Sequence, residues 1–328
     1  MDNLTHSLVG LMMSRAGLRE WCPRATAILL VAANLPDADL VTRIGGPLDY
    51  LDHHRGISHS LILSPVVGLA SAAIVRMFTR GPWSWVRSSL CGWLGVLSHL
   101  LLDWTNVYGI RLLLPFAPDW LRLDSTFIVD IFLWAVLFLA VAGPALSRLV
   151  SSEIGAKPGK GRASAIAVLS FVLMYDYARV MLHTRAVNTL DSHLYAGAAS
   201  KRVTAIPGLL NPFAWTGVVE TERYMSVHSI NLLMPFDPSA GKLYYHPQPS
   251  PAIEAARNHE TMRRFLQFSQ LPLWQVTPLD RPEGAMKVSV VDMRFGEPGA
   301  SRFFVSVVVD RDNKVVDEEF SFGSLQPR

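Results

Sequence analysis

Three histidines and an aspartate fall within the ten residues LDHHRGISHS, Leu51 to Ser60, directly before an apolar run. Imidazole and carboxylate together are ligands for a divalent cation, and this mixture suits zinc best, with manganese or iron as alternatives. The same residue types recur at His6, at Asp37 and Asp39 in NLPDADL, at His99 and Asp103 in SHLLLD, and at Asp130. His99 and Asp103 are four apart, so on a helix they share a face. They either reach one ion together, or the carboxylate orients the imidazole. Gly56 in HHRGISH permits a sharp turn that brings His59 back towards His53 or His54, and the DAD pair offers a bridging carboxylate if two ions are bound. A metal held this way lowers the pKa of a bound water to about 7 and polarises a phosphoryl or acyl oxygen, the usual route to hydrolysis. Simpler uses compete: a polar helix start for His6, a cap or turn for Asp37 and Asp39, loop positions for His53 and His54. His99 and Asp103 resist that explanation, because ionisable groups inside an apolar segment are costly and face a partner or a cavity. Arg55 either pairs with a carboxylate or binds an anionic substrate group.

The elements that must position these residues are apolar helices. A helix crossing a bilayer needs about 20 residues, and candidate segments recur up to residue 183 and then stop: Leu61–Phe78, Ser88–Leu102, Phe127–Val150 and Ser164–Leu182. Two shorter ones, Leu4–Met13 and Ala25–Leu35, suggest a tight or re-entrant hairpin. The expected fold is therefore an all-α, multi-pass membrane helical bundle of about four to six membrane segments, followed by a small soluble α+β domain. The expected division is 1–183, membrane-embedded and metal-binding, and 184–328, extracytoplasmic. Basic residues alternate between loops: Arg15, Arg19 and Arg24, then Arg76, Arg80 and Arg87, then Arg148, Lys157, Lys160 and Arg162. Basic loops stay cytoplasmic, which would place every ligand-type residue above, and the C-terminal domain, on the opposite side.

Composition agrees with a membrane location. Of 328 residues, 50% are hydrophobic and only 17% charged, against roughly a quarter charged in an average soluble domain. A net charge of +3, with no basic stripe interleaved with aromatics, excludes a nucleic-acid partner. Cys22 and Cys91 lie too far apart for a CxxC site or a disulfide framework, and no cleavable signal peptide is evident at the N-terminus. Beyond residue 183 the texture changes. A helix is expected over Ala252–Phe268, with strands in MKVSVVDMRF and RFFVSVVVD, the second leading through the turn-like RDNK to VVDEEFSF as a hairpin. The stretch LLNPFAWTGVVETERYMSVHSINL, with His228, reads as core positions of a sheet or as residues shaping substrate access.

Taken in order, MDNLTHSLVG, NLPDADL, HHRGISHS and SHLLLDWTNVYGIRLLLPF resemble a bacterial family of inner-membrane metal-dependent hydrolases, over about the first 150 residues. The resemblance implies motif residues at His6, Asp37, Asp39, His54, Arg55, His59, His99 and Asp103, with His54 rather than His53 directly before Arg-Gly. A more distant similarity links the pattern to zinc phospholipase C-type sites, although the N-terminal tryptophan ligand of that kind is absent. The expected function is a membrane-bound, metal-dependent hydrolase cleaving a phosphoester or ester bond of a lipid or lipid-linked substrate. One or two ions would be drawn from His6, Asp37, Asp39, His54, His59, His99 and Asp103. Asp39 or Asp103 would serve as general base, and Arg55 would hold a phosphate. The alternatives are a metal-stapled membrane interaction protein and a metal sensor, neither catalytic.

Overall fold

In a computed structural model of the chain, residues 1–153 and 161–323 are described, and Lys157 and Lys160 of the third basic loop lie outside them. Two compact units emerge. One comprises Met1–Asp39, Arg55–Thr184 and Pro207–Phe213; the other comprises Leu40–His54, Arg185–Ile206 and Ala214–Arg328.

The first unit is helical. Helix α1 (Asn3–Met13) starts at Asp2, whose carboxylate accepts from the backbone N–H of Leu4 and Thr5 at 3.1 and 3.0 Å, satisfying two of the donors that a helix start leaves open. The chain bends at Gly17 (φ +145°), makes the single turn α2 (Arg19–Trp21) and enters α3 (Ala25–Ala32). Pro36 then opens a tight 3-10 stretch, Pro36–Gly45. After the short helix α4 (Pro47–His53), assigned to the second unit, a 3-10 turn at Ile57–His59 leads into α5 (Ser64–Phe78) and α6 (Trp85–Thr105). Helices α5 and α6 approach so closely that a Cβ on Gly68 would lie 2.5 Å from the backbone nitrogen of Trp93, the small-residue packing typical of membrane helices. Helices α7 (Ile131–Glu153) and α8 (Arg162–Asp191) complete the bundle. Leu8, Val9 and Met12 of α1 pack with Leu102 of α6, Leu133 and Leu137 of α7 and Val172 of α8.

This corrects the expectation of about four to six membrane segments in an all-α multi-pass bundle. Among the described residues α8 alone is long and apolar enough to cross a bilayer, and at most three spans result if two bent helix pairs, Ala25–Ala32 with Pro36–Gly45 and Pro47–His59 with Ser64–Phe78, each count as one. The shortfall has local causes. Leu61 to Leu63 are spent on a turn rather than on α5, whose 15 residues rise only about 22 Å, against a hydrocarbon core of about 30 Å. Asp130 is a cap, accepting from the N–H of Phe132 and Leu133 at 2.9 and 3.1 Å, and the apolar part of α7 in the described residues is Ile131–Gly143.

The second unit is richer in strands than expected. It holds two four-stranded sheets in simple up-and-down order, β1 (Arg202–Pro207), β2 (Ala214–Glu220), β3 (Tyr224–Asn231) and β4 (Lys242–Tyr245), then β5 (Pro272–Pro278), β6 (Met286–Asp292), β7 (Phe303–Val309) and β8 (Val315–Phe322). The β7–β8 hairpin is antiparallel, as its sequence suggests. The helix expected over Ala252–Phe268 is two helices, α9 (Pro251–Asn258) and α10 (Glu260–Phe268), broken where His259 turns extended (φ −67°, ψ 140°). Alternate residues Val288 and Val290 of β6 and Val305 and Val307 of β7 are buried, the period of two that a half-buried strand requires. Phe265 and Phe268 of α10 meet Phe320 and Phe322 of β8. Beneath them Arg294 is buried, its guanidinium 2.6 Å from Asp292 and stacked on the rings of Phe268 and Phe295. Helix α4 joins this unit through Arg264, which reaches Asp49 and Asp52 at 2.7 Å each.

Candidate metal centre

Four side chains from three segments of the helical unit converge. Asp37 comes from the turn after α3, His59 from the 3-10 turn before α5, and His99 and Asp103 from successive turns of α6. One ligand atom from each lies within 4.8 Å of the others. His59 Nε2 is 3.4 Å from Asp37 Oδ1, 3.5 Å from Asp103 Oδ2 and 3.1 Å from His99 Nε2. His99 Nε2 is 3.5 Å from Asp103 Oδ2 and 3.8 Å from Asp37 Oδ1. A tetrahedral ion with nitrogen and oxygen ligands at about 2.0–2.1 Å has ligand-to-ligand edges of roughly 3.3 Å. The cluster is thus close to the size of one coordination sphere. His59, His99 and Asp103 are buried, whereas the Asp37 side chain is 14% exposed.

The surroundings fix these groups in the state that an ion needs. His99 Nδ1 lies 2.8 Å from the Ala33 carbonyl, an acceptor only, so Nδ1 carries the proton and the Nε2 lone pair aims into the cluster. Asp103 divides its labour. Oδ1 accepts from Arg55 Nη2 at 2.9 Å and from Asn106 Nδ2 at 3.3 Å and pairs with the Met1 ammonium. Oδ2 is buried and accepts no hydrogen bond. A buried carboxylate oxygen without a donor costs free energy unless a cation serves it, so the donor set fits a metal. Asp39 stands behind His59. Its Oδ2 accepts from the Arg55 N–H at 2.9 Å and from the Ser58 hydroxyl at 3.3 Å, and lies 3.6 Å from His59 Nδ1, the position of a carboxylate that orients a liganding imidazole.

The other expected site residues take distinct places. His6 stacks on His99 with ring centroids 3.9 Å apart; its Nε2 is 3.4 Å from Asp103 Oδ1, and neither ring nitrogen makes a hydrogen bond. Arg55 is 3% exposed, its guanidinium bound to Asp103, the Asn106 side chain and the Gly109 carbonyl and lying 4.5 Å from the centre of the Tyr108 ring. The left-handed residue of the HHRG turn is Arg55 (φ +52°) rather than Gly56. His53 bonds the Asp49 carbonyl and His54 stacks on Tyr50, both within the second unit. Asp130 caps α7 and accepts from the Tyr175 hydroxyl at 2.9 Å. Ser58 and Asn106 were not foreseen, although one precedes His59 and the other lies three residues beyond Asp103, where a helix would bring it near. In the strand domain His228 is buried on β3 against Ser226 and the rings of Tyr195 and Phe236. Burial pulls its imidazole below the ordinary range, an effect that Asp237 opposes.

Fold and cluster together define a helical membrane protein with a buried carboxylate–imidazole centre. The chain belongs to the YdjM inner membrane protein family, whose model matches residues 1–186, and it is accordingly an inner-membrane protein. Residues 251–324, which contain α9, α10 and β5 to β8, match the YfhP C-terminal alpha/beta plait domain. The chain is similar to the protein YfhP of Bacillus subtilis (strain 168), 22% identical over 95% of this chain and 92% of that one. It is also similar to the inner membrane protein YbcI of Escherichia coli (strain K12), 32% identical over 35% of this chain and 68% of that one. No solved structure matches it. These names support the membrane location and are silent on hydrolysis.

Proposed function

We propose that the protein is a membrane-bound metal-dependent hydrolase acting on a phosphoester or ester bond of a lipid or lipid-linked substrate. The observation that carries this is the convergence of the His99 lone pair with two carboxylates and His59 on one buried point. Asp37, His59, His99 and Asp103 would hold the ion, zinc by their chemistry, with manganese or iron as alternatives. The far oxygen of Asp103 is already taken by Arg55, Asn106 and the Met1 ammonium, which favours a single ion over two. The metal would activate a water for attack. Asp39 with Ser58 orients His59, the Ala33 carbonyl orients His99, and Arg55 with Asn106 orients Asp103. Water and substrate would enter beside Asp37, the member of the four whose side chain is partly exposed.

One observation favours a second role. Four protein ligands around one point is the closed arrangement of a structural zinc, whereas catalytic sites keep a position open. A metal-stapled membrane protein without catalysis would show the same cluster. Elemental analysis of detergent-purified protein is expected to find near-stoichiometric metal in the wild type and its loss in His59→Ala and His99→Ala. A folded wild type that stays metal-free after incubation with zinc, manganese and ferrous ions sinks both roles. Turnover of bis(p-nitrophenyl) phosphate by the loaded wild type separates them, since a closed structural site gives none.

The proposal extends to orientation. The basic residues preceding α8, Arg148 to Arg162, favour a cytoplasmic N-terminal end for that span and so an extracytoplasmic strand domain. Both native cysteines are fully buried, so an Asp312→Cys variant in the exposed β7–β8 turn supplies a clean probe. A membrane-impermeant maleimide should label it in spheroplasts; labelling only after lysis reverses the orientation.

A further inference from the structure

Beside the metal centre the helical unit carries a pocket of about 400 Å³ lined by Leu61, Ile62, Leu112, Leu113, Phe116 and Ala117 among others. Its first wall begins two residues after His59, and its second belongs to the loop that follows α6. The two walls are tied by the Leu61 N–H to the Leu112 carbonyl at 3.0 Å and by the Ser60 hydroxyl to the Leu114 carbonyl. The same loop is anchored to the centre, because Arg111 N–H donates to the Arg55 carbonyl at 3.3 Å and Arg55 donates to the Gly109 carbonyl at 3.1 Å.

The chemistry of the lining selects the ligand. Every lining side chain is hydrocarbon, and much of the backbone is already paired: the N–H groups of Phe116 and Ala117 both bond the Leu113 carbonyl, at 3.0 and 3.2 Å. What remains for a visitor is apolar surface, with Leu61, Ile62, Leu113 and Phe116 all exposed. Contiguous exposed apolar patches mark binding or membrane-contact sites. An occupant must be apolar where it meets this pocket and, to be the substrate proposed above, carry a hydrolysable polar bond beyond it. A membrane lipid has that pattern, and an inner-membrane protein has it within reach.

We infer that this pocket receives one acyl chain of the lipid substrate and so sets the head group against the metal centre. The inference rests on the hydrolase proposal above for its functional meaning, but not for its test. The probe is phosphatidylglycerol carrying a diazirine midway along one acyl chain, photolysed with the full-length protein in nanodiscs, with labelled peptides mapped by mass spectrometry. Labelling per exposed apolar residue in 61–62 and 112–117 is expected to exceed that on Leu173, Met174 and Met181 of α8 at least fivefold. It should fall at least fivefold in both Ala117→Trp and Ile62→Trp, which fill the pocket from different walls; two variants guard against one simply misfolding.

Labelling that tracks exposure equally over α8 and the pocket overturns the inference, because the patch is then ordinary lipid-facing surface. So does pocket labelling that neither tryptophan reduces, and so does a cross-link joining the pocket to another protein segment instead of lipid. Metal content measured on the same samples keeps the two proposals apart. Labelled pocket without metal leaves the lipid site standing and removes the hydrolase; bound metal with an unlabelled pocket does the reverse.

Discussion

Alanine in place of Asp103 is expected to lower the stability of the helical unit by about 3–5 kcal/mol, the usual cost of breaking a buried ion pair from one side. Arg55 is 3% exposed and loses the acceptor of its Nη2 at 2.9 Å, while Asn106 and the Met1 ammonium each lose a partner. None of these groups can turn to water without opening the packing between α1, α6 and the loop after it. Thermal unfolding should be followed in detergent with a chelator present, so that no bound ion contributes. The double variant Arg55→Met with Asp103→Leu is expected to recover part of the loss, because replacing a buried pair by apolar groups of similar volume is often neutral. A single Asp103→Ala variant as stable as wild type would mean that the pair does not hold the helices.

His99→Ala should act on the ion rather than on the scaffold. A ligand lost outright should weaken metal binding by more than the 10–100-fold that an orienting neighbour typically contributes. Ser58→Ala and Asp39→Asn should fall within that smaller range, since they touch His59 from behind. Competition with a chromophoric zinc chelator measures all three. The same ordering should appear in unfolding: at an ion concentration about 100 times its dissociation constant the wild type gains about 2.7 kcal/mol, and His99→Ala gains almost none. If Asp39→Asn costs more than His99→Ala, the ion lies on the other side of His59 and the four-residue centre is wrong.

His99 and Asp103 were legible in the sequence because a helix converts a spacing of four into a shared face, and no tertiary contact is needed to see it. Asp37 and His59 could be grouped with them only loosely, since their meeting depends on two irregular turns whose dihedrals the sequence does not display. Arg55 shows the limit plainly. A guanidinium beside histidines suggests a phosphate partner, yet its left-handed backbone turns it inwards onto Asp103, and nothing in HHRGISH says which way it points. The adjacent His54, one residue earlier, turns to Tyr50 instead. In the helical part, counting apolar letters assigned to membrane spans residues that the fold spends on caps and turns, as at Asp130 and Leu61. In the strand domain the alternation of Val288 with Val290 and of Val305 with Val307 marked strands directly, while the break at His259 has no proline or glycine to announce it.

The hydrogen bond from the Arg55 N–H to Asp39 Oδ2, 2.9 Å long, closes the ends of the Leu40–His54 stretch upon themselves. That stretch is therefore a bight with a knotted neck: two halves of the ligand set sit at the knot, and the rope between them carries α4, which is moored to Arg264 through Asp49 and Asp52. The entropy of closing such a loop grows only with the logarithm of its length, about 0.6 kcal/mol for each doubling. Lengthening the rope between the knot and α4 is thus cheap for the metal centre so long as the knot holds. The protein has a place where it can acquire new attachments without disturbing its chemistry.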